Sequence, residues 1–186
     1  MKNDQNRILA YMALYAALCV VLQYAAQLIP FLQMPNGGSI ELGYAALFTA
    51  SYHLGWKKGI AVGLLWWLLG FLFGFNAYYV SPMQYFLDYL APVVVCGAAA
   101  LVPAKNEKGI LAGVGAGMLL KYASTVLSGV YFWFPEGSAA GSSAAWIYSL
   151  GYNAWYNLAT MIVCMILVPL MIQRLRKSGV GFPSVK

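Results

Sequence analysis

Positive charge in this chain sits in alternate gaps between long apolar runs, and no other feature constrains the fold as much. Lys2 and Arg7 precede the first run, Lys57 and Lys58 follow the second, and Lys105 and Lys108 follow the fourth. Arg174, Arg176, Lys177 and Lys186 follow the sixth. The intervening gaps, near 30–39, 76–82 and 134–143, hold no Lys or Arg, and only Lys121 lies within a run. Because basic residues are retained on the cytoplasmic side of a bilayer, the spacing predicts an all-α membrane protein. It has six transmembrane helices with the N and C termini cytoplasmic. Function is then expected in the outward half or inside the bundle.

Composition narrows the classes further. The chain is 62% hydrophobic and 9% charged, with a mean hydropathy of +0.70, far from the balance of a soluble domain. Its 186 residues hold six spans of roughly 20 residues each and little more, so residues 1–186 are expected to be one membrane domain with no soluble catalytic part. The net charge of +6 reads as retention on the cytoplasmic face and attraction to membrane lipid, since no basic stripe with interleaved aromatics points to nucleic acid. The first run is too long for a signal peptide and lacks a convincing cleavage site. Cys19, Cys96 and Cys164 lie in apolar runs without metal-ligand or redox spacing, as packing residues do.

Breakers and turn residues place helices at about 7–29, 40–54, 59–75, 83–102, 109–133 and 145–173. The second is the shortest and most polar, and is expected to be tilted or shielded by neighbours. Within the first, Ala10, Ala13 and Ala17 recur on one face, which serves close helix approach, either within this bundle or against a partner.

Ionisable groups inside a membrane are costly and are default candidates for function. Asp88 lies near the outer end of the fourth helix, and Lys121 lies about 18 Å along the fifth, at 1.5 Å per residue. An ion pair between them is geometrically feasible. It would fix helix register, position a carboxylate for a ligand, or do both. On the sixth helix Ser149, Asn153 and Asn157 repeat every four residues as one polar stripe flanked by Tyr148 and Tyr152. Such a stripe is expected to face the interior, where an Asn side chain offers both acceptor and donors to a heterocyclic edge. Asp88, Trp133, Tyr148 and Asn153 converge at one depth. A carboxylate, an amide and aromatic faces suit a flat, cationic or nitrogen-rich small molecule. Enzyme chemistry has little support: there is no Ser/His/Asp set, and the lone His53, near the inner end of the second helix, reads as a packing or interfacial residue. There is also no metal-ligand cluster and no phosphate-cradling Gly motif for ATP.

Five segments then carry a resemblance: GGSI (37–40), FLDYLAP (86–92), LLKY (119–122), SGVYFW (128–133) and WIYSLGYN (146–153). They resemble, in order and over nearly the whole chain, the thiamin-specific substrate-binding subunit of energy-coupling factor (ECF) transporters. That family implies a six-helix subunit of the bacterial plasma membrane. Such a subunit captures the vitamin from outside, docks on a coupling protein with two ATPases, and topples to release its cargo inside. It implies no cofactor, thiamin being the ligand. By the same resemblance Asp88 binds the aminopyrimidine ring, Tyr89 follows it, Trp133 stacks, and Tyr148 and Asn153 hydrogen-bond. Trp66 and Tyr78 form aromatic walls, and the alanine face of the first helix becomes a docking surface. Thr125 stands where members often have a histidine, so a ring contact is missing or comes from another aromatic. A thiamin precursor, or a related pyrimidine or thiazole, is the alternative substrate, and a ligand-free membrane scaffold the alternative class. The first outer loop, with Gly37, Gly38 and Ser39, would need an aromatic lid from elsewhere, such as Phe31.

Overall fold

The computed structural model describes residues 2–179; Lys186, counted above among the cytoplasmic charges, lies outside them. Six helices follow in order: α1 (Lys2–Gln27), α2 (Gly43–Leu54), α3 (Trp56–Phe73), α4 (Pro82–Leu101), α5 (Glu107–Phe132) and α6 (Ser143–Lys177). Five are long and apolar enough to cross a membrane. Their outward surfaces carry side chains such as Leu14, Leu72, Leu119, Ile147 and Ile162, which suit contact with lipid tails.

The exception is α2. Its 12 residues rise only about 18 Å, too little to cross the roughly 30 Å hydrocarbon layer alone. Every one of them is buried, because α1, α3, α4 and α6 all pack against this helix. Shielding by these neighbours accommodates its polarity. Thr49 Oγ1 returns its proton to the Ala45 carbonyl at 2.7 Å. Ser51 Oγ accepts the Ala100 N–H at 3.0 Å. His53, 1% exposed, shares a 2.9 Å hydrogen bond with the Tyr15 hydroxyl and meets the edge of Tyr11, so it is a core residue and not an interfacial one. The three cysteines are free and buried, as their apolar settings led us to expect.

Glycines allow a close crossing of α3 and α4. A Cβ at Gly97 on α4 would stand 2.7 Å from the Gly59 carbonyl on α3, so any larger side chain there would force the two backbones apart.

α4 is irregular where it matters for the site. Phe86–Leu90 forms a π-helical turn, in which the Ala91 N–H reaches back five residues to the Phe86 carbonyl. Pro92 has no N–H to offer, so the Leu87 carbonyl loses its helical donor. Ser124 Oγ on α5 donates to that oxygen at 2.7 Å, which satisfies the group and ties α5 to the turn. Asp88 sits in the middle of this turn.

α6 begins with a Ser142 cap whose side chain accepts the Ala145 N–H, and its 35 residues end in Arg174, Arg176 and Lys177. Those cations lie at the same end of the bundle as the α2–α3 and α4–α5 turns, in keeping with the expected orientation.

Candidate ligand-binding site

A cavity of about 870 Å³ opens at the other end of the bundle, among α1, the 28–42 loop, α3, α4, α5 and α6. Asp88, Tyr89, Trp133, Tyr148, Asn153, Trp66, Tyr78, Thr125 and Lys121 all line it. The residues picked from sequence therefore meet at one place.

Asp88 is held by two donors that both use Oδ2: the Gln84 amide at 2.6 Å and the Trp133 indole N–H at 3.0 Å. Among the described residues, Oδ1 receives no hydrogen bond and stays available to an incoming donor. The indole of Trp133 is oriented by the same bond. Tyr78 meets it edge-on at 6.3 Å between ring centres, and the Tyr78 N–H donates to the Tyr89 hydroxyl at 3.3 Å. Trp66, 6% exposed, packs edge-to-face on Tyr44. Tyr148 and Tyr152 stack at 5.7 Å.

The polar stripe of α6 faces inward, with Ser149, Asn153 and Asn157 all buried. Ser149 Oγ donates to the Val126 carbonyl at 2.8 Å. Asn153 receives the Tyr156 hydroxyl and donates to the Ser149 carbonyl at 2.9 Å. Asn157 turns to α5, donating to Thr125 Oγ1 at 3.2 Å and accepting from Lys121 at 2.8 Å.

One expectation fails. Lys121 does not pair with Asp88: its Nζ lies 2.7 Å from Glu41 Oε2 and is 2% exposed. The rings of Tyr44 and Tyr156 lie 5.0 and 5.2 Å from the ammonium. The cause is the shortness of α2. Its non-helical lead-in carries Glu41 down to the depth of Lys121, where irregular backbone is tolerated because it lines a cavity. The Glu41 N–H is itself bonded to Thr160 Oγ1 at 3.1 Å.

Glu41 was missed because it reads as the first turn of an apolar helix. The available signal was scarcity. The chain has only 5 Asp and Glu residues, and three of them, Glu41, Asp88 and Glu136, line this cavity. Gln23 on α1 was missed as well. It is 5% exposed, lines the cavity, and its Oε1 is buried without a hydrogen-bond partner among the described residues. A second expectation also falls. Phe31 is 89% exposed and stands outside the cavity lining, so it forms no lid in this structure. Instead the loop is tied to α6 by Tyr152, whose hydroxyl donates to the Pro35 carbonyl and accepts the Gly38 N–H at 3.1 Å.

Ala10, Ala13 and Ala17 are exposed on the outer face of α1, while Ala16 is buried beside them. The alanine face therefore does not serve packing within this chain.

A cavity carrying three carboxylates and one paired ammonium, walled by aromatic rings and sealed from one side by a buried short helix, suits a small cationic ligand and places the chain in the class of small-molecule-binding membrane proteins. Comparison with known proteins narrows the class. Residues 9–178 match the model of the thiamine transporter protein family (Thia_YuaJ), and the chain belongs to that family. It is 32% identical over 172 residues to the thiamine transporter ThiT of Bacillus subtilis (strain 168), covering 86% of each chain. Its fold matches a solved structure of ThiT from Listeria monocytogenes with a TM-score of 0.73 and 23% identity, over 94% of this chain and 97% of the other. The chain is thus a multi-pass transport subunit and not an enzyme.

Proposed function

We propose that the chain captures thiamin from the outer side of the membrane in the cavity around Asp88 and Trp133. It then delivers the vitamin by docking on an ECF module of one transmembrane coupling protein and two ATPases. The observation that supports this most is the charge of the cavity: three of the five acidic side chains gather there, and the one cation among them is already neutralised by Glu41. Thiamin carries a permanent positive charge on a flat thiazolium ring and N–H donors on its aminopyrimidine. A carboxylate field and aromatic faces attract the first, and free acceptors take the second.

In this reading Asp88 Oδ1 accepts from the aminopyrimidine, as the family resemblance implies. Trp133 stacks on a ring with its plane fixed by the Nε1 bond to Asp88. Tyr89, Tyr148 and Asn153 supply hydrogen bonds, and Trp66 and Tyr78 close the walls. Gln23 supplies a further acceptor from α1, since a buried amide oxygen without a partner is unfavourable until something donates to it. Thr125 bonds to Asn157 and offers no ring; Tyr156, which lines the same wall, supplies the aromatic contact in its place. Docking uses the exposed alanine face at Ala10, Ala13 and Ala17.

Titration of the purified protein with thiamin, followed by calorimetry and by tryptophan fluorescence, tests the reading. Tight binding of thiamin and much weaker binding of its separate pyrimidine and thiazole precursors is the expected result. A preference for one precursor reassigns the substrate. Absence of binding to all three leaves a membrane scaffold.

A further inference from the structure

The three outer segments, 28–42, 74–81 and 133–142, contain two charged residues, Glu41 and Glu136. Glu41 is paired with Lys121. Glu136 is exposed, lines the cavity, and has no hydrogen bond or ion pair among the described residues. Its backbone is nevertheless held in place. The Ser138 N–H and hydroxyl both donate to the Pro135 carbonyl, at 3.1 and 2.7 Å, and close a turn with Glu136 at its second position. Gly137, at the third, has φ +79°, the left-handed conformation that a type II turn requires there. Further on, the Gly141 N–H donates to the Val130 carbonyl at 3.1 Å and ties the loop back to α5. Phe134, Pro135 and Glu136 thus stand on the cavity lining as one fixed edge. In the same cavity two acceptors lack a donor among the described residues, Asp88 Oδ1 and the buried Gln23 Oε1.

We infer that Glu136 is the charge-selective capture residue of this cavity: its carboxylate draws a cationic ligand in from the outer side and raises the rate of entry, without holding the ligand once bound. The inference rests on the reading of the cavity as a thiamin site and adds the step that precedes binding. Solvation separates capture from holding. Asp88 is fixed by the Gln84 and Trp133 donors, as a carboxylate that fastens a ligand must be. Glu136 is exposed and makes no such bonds, so its pull is weak in contact but acts through solvent. Two unit charges about 7 Å apart in water attract by roughly the thermal energy, which is a factor of about three in local concentration. The outer segments carry no Lys or Arg to oppose that pull, and low-dielectric walls focus the field of a charged cleft. Charges at the rim of a site govern association and its salt dependence, whereas buried hydrogen-bonded charges govern dissociation.

The test is stopped-flow tryptophan fluorescence on the full chain in phosphatidylcholine nanodiscs, which add no net lipid charge. Two probes are compared: thiamin, and a neutral isostere with an uncharged thiophene in place of the thiazolium. In Glu136→Gln the association rate for thiamin should fall about threefold at about 10 mM ionic strength, and the difference should nearly vanish at about 0.5 M salt. Glu136→Lys, which changes the charge by two units, should lower it about tenfold. Dissociation of thiamin should stay within about twofold of wild type, and association of the neutral isostere should be unaffected in both variants. Four results would overturn the proposal. An unchanged thiamin association rate in Glu136→Gln removes the residue from capture. A loss confined to dissociation makes Glu136 part of the bound complex instead. A loss shared by the neutral isostere, or one that persists at high salt, means that the turn acts by shape. Failure of the unaltered protein to bind thiamin at all is a different outcome, which overturns the proposed function and this inference with it.

Discussion

Lys121 on α5 and Glu41, in the lead-in to α2, form an ion pair of 2.7 Å in the middle of the bundle. The pair fixes the depth at which the first outer loop enters the membrane. It also neutralises the only cation that lines the cavity among the described residues, so the remaining carboxylates, Asp88 and Glu136, set the sign of the site. Both consequences follow from one geometric fact, the truncation of α2.

Removing one partner should therefore cost more than removing both. Glu41→Ala leaves a buried ammonium uncompensated and is expected to destabilise the protein by roughly 3 kcal/mol. Lys121→Met combined with Glu41→Leu should recover much of that loss while still impairing thiamin binding. Thermal unfolding of the two variants in the same detergent decides this, and a double variant less stable than Glu41→Ala would count against it.

Trp133→Ala should weaken thiamin binding most among the aromatic substitutions, by about 2 kcal/mol, because stacking against a desolvated cation is lost. Trp133→Phe separates the ring from its N–H. It retains a face but releases Asp88 from the 3.0 Å bond, so an intermediate loss is expected in calorimetry. Unchanged affinity in Trp133→Ala removes this residue from the site.

Asp88→Asn should weaken binding at least about tenfold, near 1.4 kcal/mol, through loss of a charge-assisted hydrogen bond in a sheltered pocket. Since Lys121 is paired with Glu41, the substitution strands no buried cation, and the yield of folded protein should remain close to wild type. An affinity within twofold of wild type would leave Asp88 with only its bonds to Gln84 and Trp133.

Gln23→Leu should reduce affinity for thiamin by about 1 kcal/mol while raising stability of the empty protein, because a buried acceptor without a partner is replaced by an apolar side chain. Paired titration and thermal unfolding give the two signs. Loss of stability instead would mean that the amide serves the fold.

Ala13→Trp/Ala17→Trp should leave thiamin affinity intact and sharply reduce uptake in vesicles carrying the full transport complex, since bulk on an exposed helix face blocks close approach of partner helices. Uptake that is unaffected would place the docking surface elsewhere.

The sequence by itself determined the membrane class, the orientation and part of the cavity lining. Those rest on periodicities and on single-residue chemistry: where Lys and Arg are tolerated, where Asp88 and the Ser149–Asn153–Asn157 stripe can be hidden, where small residues cluster on α1. What only the tertiary structure decided was pairing. Lys121 had two acidic candidates at reachable depth, and the choice of Glu41 over Asp88 depended on how far the short α2 is sunk among its four neighbours. The π turn around Asp88 likewise depends on Ser124 of α5 taking up the Leu87 carbonyl that Pro92 leaves without a donor. A partner across the bundle is set by helix packing and loop depth, and neither is written in local residue spacing.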